Sequence, residues 1–445
     1  MLKIHHTAQE SQAIPRRLYL IALFLDLLAL GANHLAVRSS AFANAYSHNV
    51  YRVLSLSIGS VMGLLPFSVV ELLLYATILF VVFDFFKQLC RTVRAGAEYL
   101  YPAPVGQPRA DGVSQAFPAQ TGAAHSKHLL TTITRPLLHF LGHLFLILSA
   151  ILVLYIFLCG INYHRTSFSQ EAGLSVTIDE YGSVYDEDDL IALCDYLVTE
   201  INDTEAQLAA SATLDANADV LRAHTSADAG AAGTTIESPA ATAEASAALL
   251  WHAGRTGQRA MEKLGQRYRR LSGHYPFPKP ILNTWILSVQ QTTGVYSPFT
   301  VEANYNRDIA YYDIPFTICH ELSHLRGYMQ EEEANFIGVL ATIGADDPYF
   351  NYSGYVSAWV YAGNALARID STAFAALYAQ INERSRQDML YNNAYWKQFE
   401  GKPAEAHEQL NDAYLKIQGQ ATGVRSYGHV TDLMLEYFAK NGTLT

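Results

Sequence analysis

The sequence predicts a mainly α protein, in which three N-terminal transmembrane helices precede a mostly helical domain with a small β element. Three observations carry that reading. Half of the 445 residues are hydrophobic, a high share for a chain that meets only water. Three runs each reach the roughly 20 apolar residues that a helix needs to cross ~30 Å of hydrocarbon. Beyond residue 160, apolar residues recur at helical spacing between short Gly, Pro and Asn breaks.

The first run, 18–37, is apolar apart from Asp26, Asn33 and His34. It is long, contains an acid and lacks a small-x-small cleavage site, so it reads as an uncleaved anchor rather than a signal peptide. The second, 61–86, carries Pro66 and Glu71; Pro66 is expected in the first turn of its helix, with 54–65 as a short amphipathic or re-entrant approach. Asp26 and Glu71 are costly in lipid and should face other helices or an interface. The third run, 137–159, has no Asp, Glu, Lys or Arg.

Charge asymmetry orients these spans. Lys3, Arg16 and Arg17 precede the first, and Lys87, Arg91, Arg94, Arg109, Lys127 and Arg135 fill the 87–136 connection. Arg38 and Arg52 lie between the first two spans and Arg165 follows the third, so nine positives oppose three. The N-terminus and the 87–136 loop are therefore expected in the cytoplasm, as part of a multi-pass protein of the cytoplasmic membrane. Residues 1–160 form the membrane domain, and 161–445 the extracytoplasmic one.

The net charge of −11 leaves no basic stripe to track phosphates, so the expected partners are the lipid bilayer and a peptide or protein substrate, not nucleic acid. Cys90, Cys159, Cys194 and Cys319 include no C-x-x-C pair and predict no disulfide framework. Two biased stretches, 100–128 and about 202–247, read as a flexible loop and a mobile Ala-rich insert. Helices are expected at about 186–201, 248–272, 314–326, 331–345, 349–367, 371–381, 386–398, 403–418 and 427–440. Residues 294–306 are the candidate strand or hairpin.

The chemistry concentrates in "TICHELSHLRGYMQEEEANF", residues 317–336. In a helix His320 and His324 project from one face, one turn apart, the geometry for gripping one Zn²⁺ through two imidazoles. Glu321 sits beside them as the general base that takes a proton from water activated by the ion. Gly327 ends the helix as a C′ residue. A second, acidic helix start follows, Glu331-Glu332-Glu333. Glu331 or Glu333 is the expected third ligand; the remaining acids favour the helix macrodipole. Asn335 shares a face with Glu331 and could support a ligand from behind. Cys319 diverges by about 100° from His320 and reads as core. The polar flanks of the motif argue against a lipid-buried helix. The oxyanion donor is sought in "GVRSYGHVTDL", where Tyr427 and His429 are the candidates. Glu302, Asn304 and Asn306 are candidates for an edge strand that aligns a peptide by strand addition.

The stretches "GINYHR" (160–165), "HYPFPKPIL" (274–282), "GVYSPFTVEANYN" (294–306), "HELSHLRGYMQEEEANF" (320–336) and "GQATGVRSYGHVTDLML" (419–435) resemble an uncharacterised bacterial membrane family, filed as a domain of unknown function, with a zincin site. "LLPFSVVELLL" (64–74) looks like that family's second membrane segment. More distantly, Glu331-x-x-x-Asn335 is similar to the glutamate helix of gluzincin metallopeptidases. The similarity implies Glu331 as ligand and Asn335 as its supporter, though the six residues between His324 and Glu331 are fewer than in many gluzincins. The expected function is a membrane-anchored, zinc-dependent metallopeptidase with a zincin-like catalytic domain. The alternative is a metal-binding sensor or assembly protein with little hydrolytic activity.

Overall fold

The computed structural model describes residues 16–100, 122–174, 185–211, 239–417 and 429–445. The protein is mainly α, with a three-stranded sheet and three helices apolar enough to cross a membrane. Its residues group into two units: 1–32 with 72–156, and 33–71 with 157–445.

The first unit is built from α1 (Arg16–Arg38), α4 (Val69–Leu100) and α5 (Gly122–Leu158), with the two intervening short helices, α2 (Ser40–Tyr46) and α3 (Arg52–Met62), belonging to the second unit. Its large apolar side chains, such as Phe24, Leu79 and Phe83, point outward, as a lipid solvent demands. Two of its acids each have a partner on α5. Ser149 donates to Asp26 at 3.0 Å, and Asp84 accepts from Gln88 at 3.0 Å and pairs with His143 at 2.9 Å. α4 runs on to Leu100 and α5 starts at Gly122, so helix covers both ends of the expected 87–136 loop; 101–121 lie outside the described residues.

In the second unit, α2 continues through a π-helical turn, Ser47–Tyr51, into α3. That turn buries Ser47 and Tyr51. Pro66 does not begin α4. Ser68 precedes the helix, its hydroxyl accepting the N–H of Glu71 at 3.3 Å, and the Ser-x-x-Glu spacing is a helix-start signal. A 3-10 turn (Gly160–His164) and short α6 (Phe168–Glu171) lead to α7 (Glu187–Ala210). Asp186 and Asp189 cap α7 reciprocally. α8 (Pro239–Arg267) follows; the core of the Ala-rich insert, 212–238, lies outside the described residues.

The sheet comprises β1 (Lys279–Pro280), β2 (Gly294–Ser297) and β3 (Glu302–Tyr305), with α9 (Trp285–Ser288) between the first two. Its order is β1-β3-β2: β3 is central, parallel to β1 and antiparallel to β2. This corrects the expectation that Glu302, Asn304 and Asn306 lie on an edge. All three are buried, and the edge beside the hairpin is β2. Then come α10 (Asp313–His324), α11 (Glu331–Ile343), α12 (Pro348–Ile369), α13 (Ser371–Tyr378), α14 (Glu383–Lys397), α15 (Lys402–Ile417) and α16 (His429–Asn441). Each lies within a few residues of a helix expected from periodicity. α10 is the hub: it packs on α8, α11, α12 and two strands, and its Ile318, Cys319 and Leu322 are fully buried. Cys319 is thus core, and burial pushes its thiol well up.

Two carboxylates join the first turn of α4 to the sheet. Glu302 accepts the N–H groups of Val69 (3.1 Å) and Val70 (3.0 Å), and pairs with the buried ammonium of Lys279, which also donates to the Met62 carbonyl at 2.7 Å. Glu71 in turn accepts the N–H groups of Leu282 and Asn283, both at 2.9 Å. Glu71 therefore satisfies loop backbone after β1 rather than a neighbouring membrane helix. The free N–H groups that every helix start leaves explain why an acid is buried at this point.

Candidate metal centre

α10 ends where the sequence stops it. Gly327 adopts φ +82°, and its N–H bonds to the His324 carbonyl at 2.9 Å. The reversal lets α11 begin four residues later with its first turn facing α10. Glu331 is the first residue of that turn.

The ring nitrogens Nε2 of His320 and His324 lie 3.1 Å apart. Glu331 Oε2 is 3.3 Å from His320 Nε2, and Oε1 is 3.8 Å from His324 Nε2. Bonds of about 2.0–2.1 Å at tetrahedral angles would put ligand atoms about 3.3–3.4 Å apart, so this donor set fits one zinc ion. Among the described residues, it is the one group of three or more His, Cys, Asp or Glu side chains close enough to share an ion. The supporting bonds fit as well. His324 Nδ1 donates to the Tyr328 carbonyl at 2.6 Å, which leaves Nε2 bare toward the cluster. The Asn335 side chain hydrogen-bonds His320 in the sense that favours its protonated ring.

Electrostatics within the metal-free cluster follow from burial and proximity. Burial opposes the His320 charge, yet the Glu331 hydrogen bond and the Glu321 and Glu331 carboxylates raise its pKa to about 9. Burial also opposes ionised Glu331, but the His320 hydrogen bond and both imidazoles hold its carboxyl below the usual range. His324 is lowered to about 4, chiefly by burial. The cluster thus carries a proton on His320 and a negative charge on Glu331, and a bound cation would take the place of that proton.

Glu321 Oε1 lies 4.0 Å from His320 Nε2. The carboxylate is buried, which raises its pKa to about 8, and it accepts from the backbone of Tyr296 on the edge strand. The strand comes this close because residue 294 is glycine. A Cβ there would stand 2.6 Å from Glu321 Oε1 and 2.7 Å from Thr317 Cγ2, contacts no side chain tolerates.

The other candidates separate. Glu333 is not gathered into the cluster: its two oxygens accept the N–H and hydroxyl of Ser169, at 2.8 and 2.7 Å, at the start of α6. Glu332 also points elsewhere, and burial pushes it up to about 7. His429 lies at the start of α16, where its charge acts on Glu332; its Nδ1 is buried without a hydrogen bond, 3.8 Å from Asp432. Tyr427 lies outside the described residues. Tyr361 on α12 was not anticipated. Its phenol is raised by burial and by the charges of Asp313 and Glu331, and it packs on Phe316, which also touches the His320 ring. It lies 30 positions from Glu331, and no local pattern signals it.

Residues 122–435 match the family described as protein of unknown function (DUF3810). The chain belongs to that family. The match takes in the third candidate span, the sheet, and the whole of the His320–His324–Glu331 cluster, while the first two candidate spans and the 33–71 segment precede it. Neither the curated proteins nor the solved structures yield a match to the chain.

Proposed function

We propose that this DUF3810 member is a membrane-anchored, zinc-dependent metallopeptidase whose 161–445 domain lies outside the bacterial cytoplasmic membrane. The observation that carries the reading is the convergence of His320, His324 and Glu331, with Glu321 on the same helix 4.0 Å from the nearer imidazole.

In this mechanism His320, His324 and Glu331 hold the ion. Zinc, when bound, acts as a Lewis acid that polarises the substrate carbonyl and makes water a better nucleophile near neutral pH. Glu321 accepts the proton of that water and passes it to the leaving amine. Edge strand β2 aligns the substrate backbone, as an exposed edge does for an extended peptide. Tyr361, whose ring packs on Phe316 where Phe316 meets the His320 ring, is the candidate donor for the developing oxyanion.

The test is Glu321→Gln, which keeps shape and burial and removes the base. It should retain zinc and lose turnover on a peptide library. Cleavage at the wild-type rate would sink the mechanism.

One observation favours a second reading, a metal-binding sensor or assembly protein. The Glu71 and Glu302 clamps bind the first turn of a candidate membrane span to the sheet beside Glu321, a connection suited to passing a signal. Stoichiometric zinc without turnover in the full-length chain would favour it.

A further inference from the structure

A second polar site lies in the same unit, apart from the metal ligands. Arg52, Arg165, Arg270 and Arg326 line one solvent-open pocket with Ser47, His48, Tyr51 and Ser55. The four guanidinium groups come from separate segments: α3, the chain just after the third candidate span, the turn after α8, and the end of α10.

Charge does not balance there. Glu171 pairs with Arg165 at 3.1 Å and Arg270 at 2.7 Å, and among the described residues Arg52 and Arg326 have no carboxylate partner. They are nevertheless held together: Nη2 of Arg326 and of Arg52 lie 3.3 and 3.8 Å from the point that a Gly273 side chain would occupy. Arg326 is 5% exposed, stacks on Tyr275 and donates to the His274 carbonyl, yet its Nε has no hydrogen-bond partner. The buried Nε of Arg165 is likewise unpartnered. Gathering like charges in a confined space costs free energy, and an anion in the pocket among the four guanidinium groups offsets that cost.

We propose that this pocket binds a phosphate group. A carboxylate is planar and is satisfied by one guanidinium fork, whereas donors from four directions suit a tetrahedral anion of up to two charges. The group comes either from a lipid headgroup or from a soluble phosphate, and Arg165 directly follows a candidate span. The site goes beyond the peptidase reading and stands without it.

The test is calorimetric titration of the full-length chain in an uncharged maltoside detergent. The probes are inorganic phosphate, dihexanoyl phosphatidic acid, dihexanoyl glycerol and acetate. At least one phosphate-bearing probe should saturate at one per chain, at least 10-fold tighter than the uncharged lipid and acetate. Arg52→Gln should weaken that binding at least 10-fold with zinc content and melting temperature unchanged, and Ser55→Asp should do the same where it folds. Phosphatidic acid binding at least 10-fold tighter than inorganic phosphate supports a headgroup; equal affinity supports a soluble phosphate. No saturable phosphate binding, equal binding of acetate or uncharged lipid, or unchanged affinity in Arg52→Gln would overturn the proposal.

Discussion

The hydroxyl of Tyr51 donates to the main-chain oxygen of His324 at 3.1 Å, and approaches that of Leu325 at 3.3 Å. A residue between the first two candidate spans thereby adds a second donor to the His324 carbonyl, which already accepts the Gly327 N–H, and reaches the Leu325 carbonyl at the end of α10. Burial pushes the phenol well up, so it stays a donor at any physiological pH. Together with the Glu302 and Glu71 clamps, this makes the 33–71 segment part of the domain that carries the metal cluster. A 165–445 fragment should therefore be far less stable than the same domain in the full chain. Limited proteolysis of both checks this, and equal protection of α10 in the fragment would count against it. Tyr51→Phe should cost about 0.5–1.5 kcal/mol, the net worth of a hydrogen bond, because the His324 carbonyl keeps the Gly327 N–H.

Lys279 and Glu302 are both buried, and removing one partner strands the other's charge. Lys279→Met should destabilise the domain by about 3–5 kcal/mol in denaturant unfolding. A loss under 1 kcal/mol would mean that the α4 N–H groups alone satisfy Glu302.

The Asp313 carboxyl is pushed up to about 7 by burial, against a lowering hydrogen bond from Asn392. The folded chain keeps a proton there that the unfolded chain releases near its ordinary value of 3.8. Stability from this group is thus full at low pH, falls as pH rises from about 4 to about 7, and is level above. Asp313→Asn should flatten that window in unfolding measurements across pH. An unchanged slope would contradict the assignment.

Tyr361→Phe removes a hydroxyl and little volume. Turnover should fall about 100-fold with zinc retained, the scale of losing one oxyanion donor. Wild-type kcat in this variant would return the search to Tyr427 and the segment around it.

The helices from α10 to α16 were legible from the breaks between them and, in α12, α14 and α16, from alternating buried and exposed faces, whereas α10 and α11 expose no residue. The start of α4 was readable too, from Ser68-x-x-Glu71 rather than from Pro66. What local pattern could not resolve depends on distant partners. Glu331 and Glu333 sit in one helical turn, and what separates them is Ser169, 164 positions away, which takes both oxygens of Glu333. Strand order is of the same kind. The hairpin is legible from 294 to 306, but β3 becomes central only because Lys279 and Pro280 pair on its other side. The arginine pocket draws on four segments between residues 52 and 326, and nothing local to any of them says that their guanidinium groups meet.

The most direct measurement is the zinc content of the purified full-length chain and four variants. The wild type should hold one zinc per chain. His320→Ala and Glu331→Gln should lose it, Asn335→Ala should weaken affinity about 10- to 100-fold, and Glu333→Gln should retain it. A wild type that takes up no zinc, or a Glu333→Gln variant that loses it as fully as Glu331→Gln, would contradict the account.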